Sequence, residues 1–346
     1  MSRHRGRRIV FVLGLLATVA LATGYRWIRA PRRPGAAGRV VIEFPIGTPT
    51  RQIFRTLHAK GIARDAILAE IYYRVFRHGV PLRAGEYSFS PGETLDRAID
   101  LLERGEVVRH VVIVPEGSTN AECFALFVQQ GIGTEQGFHR ASREPNLLPG
   151  PPLPTPDLEG FLFPDTYVVT RSTPTREVVA TMVENFRRHF TPELARRAEG
   201  LGLAIRDAVT VASLVEKETS LPDERPHVAA VYLNRLKLGM RLQCDPTVIY
   251  ALQERHEWTG HLRRSDLEVD SPYNTYLYAG LPPGPICNPG AAALEAAVTP
   301  APSADLYFVA RGDGGHYFSR TYADHLAMIA KSRANAADAE AAPLAH

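Results

Sequence analysis

The chain has 346 residues, of which 45% are hydrophobic and 22% charged, a composition that describes a folded globular protein and excludes an intrinsically disordered one. Its formal charge of +3 is unevenly placed: residues 1–33 hold eight arginines and no acid, and the remainder carries 32 basic against 37 acidic residues. The basic balance belongs to the N-terminus, so no nucleic-acid partner is expected for the body.

RHRGRR is followed by IVFVLGLLATVALATGY, Ile9 to Tyr25, seventeen residues without a charge. That length sits at the lower limit for crossing the roughly 30 Å hydrocarbon core of a bilayer. Tyr25 and Trp27 fall where interfacial aromatics anchor, and the arginines before the run favour a cytoplasmic N-terminus. Residues 1–33 are expected to form a cytoplasmic tip and a single transmembrane anchor. A cleaved signal peptide is the alternative, because Ala20-Leu21-Ala22 fits a small-residue cleavage site. Either reading carries the body out of the cytoplasm.

Ala30 to Arg39 is a Pro/Gly/Arg linker. A weak repeat follows at an offset of 70 residues, in which Pro45, Gly47, Phe54, Gly61 and Ile62 match Pro115, Gly117, Phe124, Gly131 and Ile132. Each copy reads as a strand, a Pro-x-Gly turn, an N-cap at Thr48 or Ser118, an amphipathic helix and a glycine C-cap. Between the copies lie a strand, a turn at Pro91-Gly92, a helix from Thr94 to Glu103 and another strand. PGETLDRAIDLLERG resembles the helix opening of LysM glycan-binding modules, although a capped amphipathic helix needs the same residues for packing alone. Five prolines from Pro149 to Pro156 make an extended connector, and LEGFLFPDTYVV then sets Glu159 and Asp165 beside an aromatic strand. Helices are expected over 174–199, 205–220 and 223–238. A turn-rich last third holds strands at Tyr307 to Ala310 and His316 to Phe318, before a frayed tail.

The second of these helices runs through VASLVEKETS, Val211 to Ser220, and ends on three charges. At about 100° per residue, Ala208, Val211, Ala212, Leu214 and Val215 form an apolar stripe that Glu218 continues. Lys217 points to the opposite side, and Glu216 lies on the flank, about 100° from the stripe's centre. Glu218 is therefore the carboxyl expected to lose solvent. Desolvation raises a carboxyl pKa and keeps it protonated, as a general acid requires. The competing reading is a helix end that simply turns into water.

Together, ASLVEKET, NRLKLGMRLQCDPTVIYAL, SPYNTYLYAGLPPGPICNPG and LYFVARGDGGHYFSRTYADH resemble the MltG-type (YceG-like) endolytic murein transglycosylases, from the anchor to about residue 332. The resemblance implies an α+β protein. It has an N-terminal anchor at 1–33, a small LysM-like α+β domain at 38–110, and a larger mixed α/β catalytic domain at 111–335 with a glutamate-bearing helix. A flexible tail follows at 336–346. It also implies an inner-membrane lyase facing the periplasm, held through Ile9–Tyr25. Such an enzyme cleaves the bond between N-acetylmuramic acid and N-acetylglucosamine within peptidoglycan glycan strands and leaves a 1,6-anhydro end. It would terminate nascent strands near the synthases that polymerise glycan, without a cofactor or metal. The catalytic position in that pattern is Glu218. Cys244 departs from the pattern, which has Thr there, and together with Cys287 it raises the prospect of a disulfide near the cleft, with free buried thiols as the alternative.

Lytic cleavage needs one carboxyl, whereas hydrolysis needs a second. Glu159, Asp165, Glu216 and Asp245 are the candidates for that second role, and Asp245 before Pro246 suits a helix N-cap equally well. Substrate contacts are expected from Gln243, Asp245, Tyr273, Asn274, Tyr276, Glu159 and Glu216, with the tyrosines also open to ordinary core packing. RGDGGHYF reads as a hairpin turn with His316 on the following strand. It lacks the Lys-Ser/Thr of a phosphate loop and a second His at ligand spacing that would pair with Asp313 and His316 around a metal.

Overall fold

The computed structural model of the chain describes residues 2–32, 38–90, 92–143 and 155–341. Much of the expected linker and of the five-proline connector lies outside the described residues, as do Pro91 and residues 342–346 of the tail. The chain forms two compact units, Met1–His110 with Val168–Ser172, and Val111–Tyr167 with Thr173–His346.

In the first unit, α1 spans Ser2–Arg29, longer than the apolar run because arginine is itself a good helix former. Within it, the 19 residues Phe11–Arg29 are long and apolar enough to cross a membrane, and none of that stretch is buried in protein. Strands β1 (Val40–Phe44) and β2 (Gly85–Phe89) pair antiparallel from Val40↔Phe89 to Phe44↔Gly85. Helices α2 (Thr50–Ala59) and α3 (Ala66–Phe76) connect the two strands, and α4 (Leu95–Arg104) follows them. Phe44, Phe54, Leu57, Tyr87, Phe89, Ile99 and Leu102 close one core.

Strand β3 (His110–Ile113) pairs with β4 (Thr166–Val169). The repeated turn is present in both copies, but its hydroxyls do not cap the helices as expected. Thr48 Oγ1 donates to the Pro45 carbonyl at 2.6 Å and Ser118 Oγ to the Pro115 carbonyl at 2.8 Å, so each closes the turn itself. Gly47 and Gly117, at φ +85° and +76°, supply the left-handed step that the turn requires. The caps sit one residue later. Pro49 precedes α2 without a side-chain bond, whereas Thr119 and Glu122 form a capping box at the start of α5 (Asn120–Gln129).

After α6 (Glu135–Ser142), the helix expected over 174–199 is two helices, α7 (Thr175–His189) and α8 (Pro192–Gly200). Thr191 caps the second of these by accepting from Leu194 N–H, and Pro192 occupies its first turn, where a missing N–H costs nothing. The chain continues through α9 (Ile205–Glu218), a 3-10 turn at Pro222–Glu224, α10 (Arg225–Lys237), α11 (Asp245–Glu254), a second 3-10 turn at Arg264–Glu268 and α12 (Ala291–Val298). The hairpin of β5 (Tyr307–Ala310) and β6 (His316–Ser319) follows. Last comes α13 (Tyr322–Ala341), which carries helix into the stretch expected to fray.

Helix α9 is the spine of the second unit, packed by α8, α10, α11 and α12. Every residue from Ala208 to Val215 is buried, so the apolar stripe read from the sequence is not one face of an amphipathic helix. Buried Ala293, Ala296 and Ala297 let α12 approach α9 closely. Each fully buried Val or Leu on α9 contributes about 1.5–3 kcal/mol relative to exposure. This burial fixes where the charged end of the helix must lie.

Candidate active site

The last turn of α9 holds Glu216, Lys217 and Glu218, and Thr219 then leaves the helix at φ −139° and ψ 135°. A carboxylate is disfavoured at the negative end of a helix dipole, so two glutamates here oppose the local preference. Such conflicts between levels concentrate at functional sites. Tyr232 on α10 donates its hydroxyl to Glu218 Oε2 at 2.9 Å, and the Cys244 thiol donates to the same oxygen at 3.6 Å. Oε1 receives no hydrogen bond from the described residues, and it is not one of the sealed, unpartnered atoms of the interior. It is therefore the oxygen left without a partner among the described residues.

Glu218 as a whole residue retains some surface, while its carboxyl is hemmed in by protein atoms. Burial pushes this carboxyl above the usual carboxylate range and the charge of Asp245 adds to the rise, while the Tyr232 hydroxyl, His316 and Cys244 pull the other way. Tyr232 is buried and meets Phe308 of β5 edge to face at 5.9 Å. Phe308 meets His316 in the same manner at 5.3 Å. His316 Nδ1 bonds Glu224 Oε2 at 2.7 Å, and its backbone N–H donates to Glu224 Oε1 at 2.9 Å.

The loop before α11 forms the other side. Asp245 is the first residue of α11 rather than its cap; Cys244 occupies the cap position, and the Asp245 carboxylate accepts the Tyr276 hydroxyl instead. Burial and this bond to Asp245 raise the Tyr276 phenol. Gln243 is exposed at φ +52°, uncommon for a residue with a side chain, and its N–H donates to the Thr275 carbonyl at 3.2 Å. Thr275 Oγ1 accepts the Cys244 N–H at 2.9 Å and bonds Thr247 Oγ1 at 2.9 Å. Glu218, Cys244, Asp245 and Tyr276 are thus joined, with Tyr232 behind them.

The remaining sequence candidates lie elsewhere. Glu216, expected on a flank, has a side chain only 6% exposed; Oε2 accepts the Gly290 N–H at 2.9 Å and Oε1 accepts from Arg225 at 3.2 Å. Lys217 is exposed as expected, yet its Nζ donates to the Gly117 carbonyl at 3.2 Å. Glu159 accepts the Asn120 N–H on both oxygens, at 3.1 and 3.2 Å, and so caps the start of α5 from a buried position that raises its pKa. Tyr273 packs on Tyr250 with ring centroids 4.9 Å apart, and burial pushes its phenol up to about 12. Asn274 is fully buried and spends both amide hydrogens on the Leu267 and Val269 carbonyls. Asp165 accepts from Thr166 N–H and Asn185.

The three cysteines are buried free thiols. Cys244 faces Glu218 while Cys287 lies 3.5 Å from the Ser213 carbonyl, so of the two alternatives the structure has free thiols and no disulfide between them. In the β5–β6 hairpin, Asp313 pairs with Arg311 and His316 with Glu224, so the two do not converge on one point. Tyr232 and Thr275 are residues that sequence reasoning missed, and Tyr232 is the nearer to the acid. It lies 14 positions beyond Glu218 on another helix, so no local spacing marks it and only the packing of α9 on α10 brings it near.

A model of the YceG-like family matches residues 42–331. The chain is 28% identical over 364 residues to the endolytic murein transglycosylase of Streptococcus pneumoniae serotype 2 strain D39, covering 93% of this chain and 65% of that protein. Over 302 residues it is 28% identical to the endolytic murein transglycosylase of Bacillus subtilis strain 168, covering 83% of this chain and 82% of that protein. The chain therefore spans just under two thirds of the length of the pneumococcal relative. A crystal structure of a yceG-like protein from Listeria monocytogenes superposes with a TM-score of 0.56 at 30% identity, covering 84% of this chain and 98% of that one.

Proposed function

The chain belongs to the YceG-like family, and on that premise we propose that it is a membrane-anchored lytic transglycosylase. It cleaves the bond between N-acetylmuramic acid and N-acetylglucosamine inside peptidoglycan strands and leaves a 1,6-anhydro end. The observation that carries this reading is the arrangement of one carboxyl. Glu218 has two donors on Oε2 and an Oε1 unpartnered by the described residues, and its raised pKa keeps a proton available for transfer.

In the first step, Glu218 Oε1–H protonates the bridging oxygen as the C1–O bond breaks, and positive charge develops on the muramic ring. In the second, the Glu218 carboxylate takes the proton of the C6 hydroxyl, whose oxygen bonds C1. The proton count closes without water, so a second carboxylate is not needed. Asp245 and Tyr276, already bonded to each other, and exposed Gln243 are suited to hold sugar hydroxyls and N-acetyl groups beside the acid. Tyr273 offers a ring for stacking further along the strand, while Asn274 holds the carbonyls of Leu267 and Val269, Glu216 the Gly290 N–H and Glu159 the Asn120 N–H.

The apolar stretch of α1 supports a single-pass anchor; the arginines that precede it favour an N-terminus in the cytoplasm, with the body in the periplasm at the inner membrane. The first unit acts as a LysM-like grip on the glycan, a reading supported by α4, capped at Thr94 and closed by left-handed Gly105. With the chain anchored in the membrane, the substrate would be nascent strands, cut as the synthases extend them.

The test is mass spectrometry of glycan strands digested by the full chain in detergent. Anhydro-muramic ends are expected. Reducing ends would mean hydrolysis, with Asp245 as the second carboxylate, because its charge already acts on Glu218. Binding without cleavage would mean a scaffold. The pH profile supplies a further check. The acid works protonated, so activity falls as pH rises through the folded-state pKa of Glu218. Tyr232 stabilises the carboxylate form, and Tyr232→Phe is therefore expected to move that descending limb to higher pH. A limb that stays in place would separate Tyr232 from the working proton.

A further inference from the structure

Helix α3 has two unlike faces. Ala69, Tyr72 and Tyr73 are buried in the core of the first unit. On the opposite arc, Ile67, Leu68, Ile71 and Val75 recur at helical spacing and are between 40% and 64% exposed. Contiguous apolar patches of this kind are rare on soluble surfaces and mark a partner. Arg74 stands at the edge of the patch, paired with Glu70 at 2.6 Å.

The partner is indicated by what lies beside the patch. A cavity of about 620 Å³ is lined from α1 by Thr18, Leu21 and Tyr25, and from α3 by Leu68, Ile71 and Phe76. The α1 residues belong to the stretch that is long and apolar enough to cross a membrane. The two helices are also fastened together. Tyr25 packs on Tyr72 and Phe76 with ring centroids 5.8 and 5.4 Å apart. Arg29 and Tyr72 both bond the carboxylate of Asp96. Arg64 donates to the carbonyls of Ala30 and Pro31 and lies over the Trp27 ring. The end of α1 is thus clamped to the first unit instead of serving as a loose tether, and the clamp sets the apolar arc of α3 alongside the later turns of the span.

We propose that α3 is a second membrane element. It lies in the leaflet on the side of the folded body, Ile67, Leu68, Ile71 and Val75 face the acyl chains, and an acyl chain fills the groove between α3 and α1. Arg74 then meets the headgroup phosphates while its stem stays along the apolar arc. This rests on the reading of α1 as a retained span. It extends that reading, because the first unit becomes embedded at the membrane surface and the span alone does not set its attitude.

The test uses the full chain in phosphatidylglycerol–phosphatidylethanolamine vesicles, with a polarity-sensitive fluorophore on an introduced cysteine and spin-labelled lipids as quenchers. Leu16→Cys reports the span, Ile71→Cys and Val75→Cys the proposed face, and Ile46→Cys, at a residue 85% exposed, a watery site of the same unit. The native thiols are buried, and the unsubstituted chain serves as the blank. The labels at 71 and 75 are expected to be quenched several-fold, like that at 16, and the label at 46 is expected to be unchanged. Quenching at 16 with 71 and 75 behaving like 46 overturns the proposal and leaves the span intact. An unquenched label at 16 removes the span itself, and the proposal with it.

Discussion

Glu218→Gln is expected to lower glycan cleavage by about 10²–10⁴-fold, the range associated with loss of a positioned general acid or base. The upper end is the more reasonable, because one carboxyl serves both proton transfers. Glutamine keeps the shape and can still accept from Tyr232, so the change removes the proton without opening a cavity. Stability provides an independent reading. The folded state raises the Glu218 pKa above its ordinary 4.5, so the protonated form is the one the fold favours. Below the unfolded value the carboxyl carries no penalty. As pH rises through the folded-state value, ionisation in a dry place costs stability. The neutral amide escapes this, and the variant should melt with the parent protein at acid pH and above it at alkaline pH. Loss of activity with that pattern of melting identifies Glu218 as the acid. A variant that keeps activity within tenfold of the parent would remove Glu218 from the chemistry.

How much of this site was legible in the sequence depends on how far apart its parts lie along the chain. Glu218 stands out on a helical wheel because burial of Val211 and Val215 is a local, periodic signal. The wheel still misplaced Glu216. It assumes one dry face, whereas α9 is surrounded, and Glu216 meets Arg225 of α10 and the backbone of Gly290. Tyr232 and Thr275 left no trace, since a hydroxyl that bonds across two elements has no spacing to read. The break between α7 and α8 was present in Thr191-Pro192, but the apolar periodicity on either side masked it. Helix α12 escaped for the opposite reason, because an alanine run has no amphipathic pattern and takes its stability from α9. The Thr48 and Ser118 hydroxyls show a third kind of failure, in which a Pro-x-Gly turn and a helix cap compete for the same side chain.

Asn274→Ala should be the most damaging change outside the acid itself, and for a different reason. Asn274 is fully buried, donates to the carbonyls of Leu267 at 2.9 Å and Val269 at 2.8 Å, and accepts the Tyr276 N–H at 2.9 Å. Truncation leaves two carbonyls and one N–H without partners. Each costs about 1–3 kcal/mol when sealed from water, and partial relaxation makes a total of about 3 kcal/mol reasonable. For a unit of this size that is a fall of roughly 6–12 °C in Tm. The loss reaches the site because the next residues are Thr275, which holds the Cys244 N–H, and Tyr276, which holds Asp245. A loosened segment should lower kcat along with Tm, and cooling well below the new Tm should recover part of the rate. A sugar contact made by Asn274 would behave otherwise, raising KM at an unchanged Tm. Thermal melts beside kcat and KM at two temperatures distinguish an amide that grips the substrate from one that holds the wall the substrate rests on.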